Sequence, residues 1–166
     1  FLGSTDASGV AFEEERDATL RATSEATTVP LGRQVRAYIE AHIEQGPILE
    51  ASGCRLGVVT GIQGVRWFEI TVRGSAAHAG TTPLESRQDA LMTAAQLVAS
   101  IGAMAASLED PALRLTVGRF EAAPGAINTV ADRTVFTIDL RHPDEPTLAA
   151  CERRIRELVK RGAGAC

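Results

Sequence analysis

Beyond residue 64 the apolar residues change their spacing in an order that few folds accommodate. Phe68, Ile70 and Val72 alternate with Trp67, Glu69 and Thr71, the period of two expected of a half-buried strand over Val65 to Arg73. After a small-residue loop, Gly74 to Gly80, the period lengthens, and a helix is expected to bury Ala90, Leu91, Ala94, Leu97, Val98 and Ile101. Thr82-Pro83-Leu84-Glu85 offers a start for that helix, with Thr82 as cap, Pro83 at the first helical position and Glu85 completing a capping box. Strands are expected again over Leu113 to Phe120 and Arg133 to Arg141, and a last helix from Pro146 to Arg161 would bury Leu148, Ile155, Leu158 and Val159.

The order strand, helix, strand, strand, helix is the split βαβ, ferredoxin-like arrangement short of its final strand. It predicts an α+β domain over residues 64–166, with two helices on one face of an antiparallel sheet. Upstream the pattern differs. Residues 1–30 offer few large apolar groups, so loop is expected there, with a short helix around Glu13 to Arg21. Val35, Ile39, Ile43, Ile48 and Leu49 predict a helix from Leu31 to Ala51, ended by Gly53 and open to a break at Gly46-Pro47. Leu56 to Thr60 reads as a short β-like run, and Gly61-Ile62-Gln63-Gly64 as a hinge. The chain starts without Met and ends on Gly162-Ala163-Gly164-Ala165-Cys166, which reads as an excerpt.

A net charge of -4 with interspersed basic residues leaves no electrostatic footprint for nucleic acid. Cys54, Cys151 and Cys166 lack C-x-x-C spacing, so neither a disulfide framework nor a cysteine zinc site is expected, and reduced thiols in a cytoplasm fit best. No apolar run approaches the roughly 20 residues of a membrane-spanning helix.

Three histidines can be weighed singly. On the expected helix, Gln45 lies on nearly the same face as His42, while Glu44 points largely away. A lone helical histidine is nonetheless more often an ordinary surface or core residue. His78 sits between glycines Gly74 and Gly80, where the backbone can approach a ligand and the helix start expected after it favours negative charge, a place suited to polarising a carbonyl. Alone it reads equally as a turn histidine. His142, before Pro143 at a strand end, is read as structural. Asn128 follows Pro124-Gly125 and could serve only a turn. Arg141 falls on the face opposite Phe136, Ile138 and Leu140, where its guanidinium could hold a carboxylate by two hydrogen bonds or simply be solvated. Glu13-Glu14-Glu15 is read as a solvated charge run.

Taken in order, four segments resemble one family: His42-Ile43-Glu44-Gln45-Gly46-Pro47, Gly57-Val58-Val59-Thr60-Gly61-Ile62-Gln63-Gly64, His78-Ala79-Gly80-Thr81-Thr82-Pro83 and Asp139-Leu140-Arg141-His142-Pro143. They are similar to the zinc-dependent amidohydrolases that act on N-carbamoyl-L-amino acids, ureidopropionate or allantoate. Phe1-Leu2-Gly3-Ser4 resembles, loosely, a segment just after that family's catalytic glutamates. The resemblance implies a lid that forms a homodimer, residues 64–166, preceded by a remnant of the metal-binding catalytic domain, residues 1–63. It implies His42 as a zinc ligand and Gln45 on the substrate. It also implies that His78 and Asn128 act near the scissile carbonyl and Arg141 on the substrate carboxylate, in some members across the dimer.

The implied reaction is hydrolysis of a linear carbamoyl or ureido C–N bond, with two zinc ions activating water and lid donors stabilising the oxyanion. Manganese or cobalt is not distinguished from zinc. The family's remaining metal ligands have no counterpart here, and one imidazole cannot hold a zinc pair, so this chain alone is expected to be inactive and to bind no zinc specifically. Two alternatives stand beside this reading. One is a related metallo-exopeptidase or aminoacylase lid, against which Gln45-Gly46-Pro47 and His78 to Pro83 speak. The other is a stand-alone, non-enzymatic dimerisation module, favoured by a native stop near Cys166.

Overall fold

The computed structural model describes residues 2–25, 29, 32 and 34–162, so Phe1, Leu31 and Cys166 lie outside the described residues. The chain divides into two compact units, Phe1–Leu56 and Gly57–Cys166.

In the first unit α1 spans Phe12–Ala22, as expected, with Glu13, Glu14 and Glu15 exposed in its first turn. The helix expected over Leu31 to Ala51 is corrected: among the described residues of that stretch, only α2, Ile48–Ala51, is helical. The apolar spacing is present, but Val35, Ile39 and Ile43 are 65%, 93% and 75% exposed. An amphipathic pattern without a surface to pack on does not offset the cost of helix nucleation. Pro47 further disfavours α geometry before it, and Gln45 adopts φ 53°. Glu44 instead caps α2, accepting from the amides of Ile48 at 3.0 Å and Leu49 at 2.9 Å.

The strand expected over Leu56 to Thr60 does not form, and in the second unit β1 spans Gly64–Arg73. There follow β2, Ala77–His78; α3, Ala90–Ala106; β3, Arg114–Ala123; β4, Thr129–Val130; β5, Arg133–His142; and α4, Glu145–Gly162. The main sheet has the antiparallel order β1-β5-β3, with β2 and β4 forming a second, two-stranded sheet. Phe136, Ile138 and Leu140 of β5 are buried with Ala94, Leu97 and Ile101 of α3 and Leu148, Cys151 and Ile155 of α4. The alternate residues Thr137, Asp139 and Arg141 are partly or fully exposed. The sheet therefore has one face covered by helices and the other open from Thr137 to Arg141, with Val135 buried beyond it.

Two expectations about α3 are corrected. Thr82 does not cap it. Residues Leu84–Ser86 make a single 3-10 turn, Arg87 is extended, and Asp89 caps α3 by accepting from the amides of Leu91 at 3.0 Å and Met92 at 3.1 Å. Leu91 is not buried but 39% exposed. A capping-box pattern is local, whereas residues 82–89 are held open by tertiary bonds, described below.

One extra residue in β3, at Gly118-Arg119, shifts the register so that Phe120 and not Arg119 lies opposite Phe136. The two rings stack at 5.9 Å, and Arg119 turns to Glu69 at 2.5 Å. At the other end of the core, Thr134 is fully buried and its hydroxyl lacks a hydrogen-bond partner among the described residues. Thr134→Val is expected to raise stability by about 1 kcal/mol, because it removes an uncompensated desolvated hydroxyl at constant volume. Urea unfolding of both proteins measures this.

His142 is structural, as expected. It is 5% exposed, with Nε2 bonded to the Asp110 carboxylate at 2.9 Å and Nδ1 accepting the Asp144 amide at 2.9 Å. Asp144 in turn accepts from the Thr147 amide and hydroxyl at the start of α4. The Ala112 amide foremost, with His142, holds the Asp110 carboxyl below its usual range; the Thr147 bonds do so for Asp144, and Arg156 foremost, with Arg66, for Glu152. A carboxyl whose folded pKa is depressed contributes stability above its unfolded pKa and loses it as pH falls through the folded one. The melting temperature is therefore expected to be level from about pH 7 to pH 5 and to fall below about pH 4.

Candidate functional site

His78 lies on β2, opposite Thr129 of β4, and the Ala79 amide donates to the Asn128 carbonyl at 2.9 Å. His78 and Asn128 thus meet at one end of the small sheet, both exposed. Asn128 occupies a turn just before β4, outside the strand's alternation of faces. The Gly80 amide donates to His78 Nδ1 at 3.2 Å, so the neutral ring carries its proton on Nε2 and presents it outward as a donor.

The segment carrying His78 is anchored by groups that the sequence patterns did not single out. Arg87 donates from Nη2 to the Ala79 carbonyl at 2.6 Å and from Nε to the Thr82 carbonyl at 3.0 Å. The Ser75 amide donates to the Gln88 carbonyl at 2.9 Å. Gly74 lies so close to that chain that a Cβ would sit 2.1 Å from the Gln88 carbonyl oxygen, which restricts the position to glycine. This strap, and not a helix start, frames His78; the expected helix-terminus field is absent because α3 begins only at Ala90.

Arg141 stands elsewhere. It pairs with Val65 near the start of β1, whereas His78 follows β1's far end, where the Gly74 amide bonds the Asp132 carbonyl. The β1/β5 ladder runs on through Gly74 and Asp132 and, after one extra residue, continues as β2/β4. From Arg133 to Arg141 alone the strand rises about 27 Å at ~3.4 Å per residue. Arg141 projects from the open face and is gripped by Asp139, Nε to Oδ1 at 2.8 Å and Nη2 to Oδ2 at 2.7 Å. Asp139 belongs to a motif noted in the sequence but carried no expectation; its i+2 spacing on a strand was the available signal.

His42 and Gln45 belong to the first unit. The helical relation expected between them does not exist, since residues 34–47 are not helical. His42 is exposed, its Nδ1 against the neighbouring Ile43 carbonyl. Among the described residues no group of three His, Cys, Asp or Glu is placed to hold a metal ion. Within the described residues, His42 therefore has no ligand set placed beside it to hold a metal ion. Cys54 and Cys151 are free thiols, and no helix among the described residues is long and apolar enough to cross a membrane.

An antiparallel sheet covered on one side by two helices defines an α+β domain, and residues 60–165 match the peptidase dimerisation domain. The chain is 46% identical over 125 residues to an N-carbamoyl-L-amino-acid amidohydrolase of Paenarthrobacter aurescens, covering 75% of this chain and 30% of that protein. It is 37% identical over 143 residues to the allantoate amidohydrolase of Escherichia coli (strain K12), covering 86% and 34%. An amidase of the hydantoinase/carbamoylase family from Burkholderia vietnamiensis superposes with a TM-score of 0.79 at 40% identity, over 99% of this chain and 39% of that one. The chain belongs to the carbamoylase family of amidohydrolases. It spans about a third of the length of the curated relatives it matches.

Proposed function

We propose that this chain forms the lid, with a short piece of the catalytic domain, of a metal-dependent amidohydrolase that cleaves the linear C–N bond of N-carbamoyl amino acids or allantoate. The relatives that carry those activities by name, and the placement of His78, Asn128 and Arg141, support this reading. His78 would donate from Nε2, and Asn128 from its amide, to the oxyanion formed at the scissile carbonyl. Arg141 would take the substrate carboxylate by two parallel hydrogen bonds. Gln45 would add a substrate contact, and His42 one ligand to a zinc centre completed by residues outside this chain. Zinc, when bound there, would supply the activated water.

The observation that carries the proposal is the separation of Arg141 from His78. A carbamoyl amino acid holds its carboxylate roughly 5 Å from its carbamoyl carbon, a few covalent bonds. One lid cannot reach both groups across a ribbon of some 27 Å or more. Two copies related by a twofold axis can, if the His78 end of one lid reaches the site of the Arg141 end of the other. The homodimer is thus part of the mechanism in this reading.

The test is ammonia release from N-carbamoyl-L-amino acids and from allantoate, measured on the complete hydrolase and on this 166-residue chain. Turnover by the complete protein and none by this chain is the expected result. Hydrolysis of only acyl or peptidyl substrates by the complete protein would overturn the proposal, as would stoichiometric zinc with turnover in this chain alone.

A further inference from the structure

Arg141 is 46% exposed at its side chain, and a free arginine at such a site would sample many rotamers. Among the described residues its hydrogen-bond partner is Asp139, which takes the Nε–Nη2 edge of the guanidinium. The Nη1 protons and the outer Nη2 proton remain, and these form the second edge on which a carboxylate can sit bidentately. The neighbour directly across β3 is Arg114, a like charge, whose guanidinium is turned back onto the Pro111 and Leu113 carbonyls. Without Asp139, Arg141 would face that second cation with nothing to hold it. On the other side, Trp67 of β1 is the cross-strand partner of Asp139 and lies on the open face, 76% exposed. The Arg141 hydrogen bonds foremost, and then the Trp67 indole, hold the Asp139 carboxyl below its usual range. A tryptophan so exposed contributes little to the core, which leaves its place beside Asp139 to be explained.

We propose that Asp139, with Trp67 as its cross-strand neighbour, is a positioning residue that presents the free edge of Arg141 to the substrate carboxylate. This rests on the reading that Arg141 binds that carboxylate. It adds a claim of its own: that carboxylate recognition depends on two residues that need not touch the substrate.

The complete hydrolase is assayed with an N-carbamoyl amino acid and with the matching N-carbamoyl amino acid amide, which lacks the carboxylate. Asp139→Asn keeps the shape but only one of the two acceptors. It is expected to raise KM for the acid about 10-fold or more, to leave kcat within about threefold, and to leave kinetics on the amide unchanged. Trp67→Phe is expected to raise KM for the acid by about threefold, also without effect on the amide. Should Asp139→Asn not fold, Asp139→Glu carries the test, since it keeps the charge and misplaces it by one methylene. Arg141→Lys separates the two claims. If it raises KM for the acid while the Asp139 variants stay within about twofold of the parent, the positioning role is overturned and the carboxylate reading stands. If Arg141→Lys leaves the acid and amide kinetics unchanged, the carboxylate reading fails and the positioning role with it. An equal loss on acid and amide in the Asp139 variants would mark Asp139 as merely structural.

Discussion

On the proposed function, His78→Ala in the complete protein is expected to lower kcat on an N-carbamoyl amino acid by roughly 10²–10³-fold while KM changes by less than about threefold. The ring is exposed, its Nδ1 is occupied by the Gly80 amide, and its outward group is the Nε2 proton. A donor placed for developing negative charge is worth more in the transition state than in the bound substrate, so its loss appears in kcat. The variant leaves the strap intact, because Arg87 bonds backbone carbonyls and not the imidazole. Unchanged kcat, or a loss wholly in KM, would remove His78 from the chemistry. A parallel fall in melting temperature would mark the loss as one of folding.

Protomers carrying His78→Ala, when mixed with protomers carrying Arg141→Ala, recover activity that neither variant shows alone. If each site draws His78 from one lid and Arg141 from the other, a mixed dimer contains one site with both lesions and one with neither. Random assortment makes about half of all dimers mixed, so recovery should approach about a quarter of the parent activity. Asn128→Ala, at the same end of the ribbon as His78, should complement Arg141→Ala and fail to complement His78→Ala. No recovery in any mixture, with subunit exchange verified, would place all three residues in one protomer's site and contradict the distance along β5.

The open-face arginine was legible because a strand's alternation is stiff: once Phe136, Ile138 and Leu140 face the helices, Arg141 must face away. The same alternation puts His142 on the covered side, although its structural role was read from its place before Pro143. The motif that includes Asp139 was visible too, but a carboxylate two residues from an arginine announces a pair only when strand geometry is known. Arg87 left no signal. Its partners are backbone carbonyls of Ala79 and Thr82, which any residue would offer. The helix expected to begin at Thr82 failed for a related reason, since the local capping pattern was outweighed by the bonds from Arg87 to Ala79 and Thr82 and from the Ser75 amide to Gln88, which keep residues 82–89 out of an α-helix.

The sequence by itself determined the order of the second unit's main strands and helices, which faces of them are apolar, and the family, because these follow from local periodicity and ordered motifs. Tertiary structure alone decided that His78 and Asn128 sit together while Arg141 lies at the far end of the same ribbon, and that the segment around His42 is not helical. Register, a bulge and a strap are settled by pairing between distant residues, and an amphipathic pattern becomes a helix only where its apolar face is buried, which Val35, Ile39 and Ile43 are not.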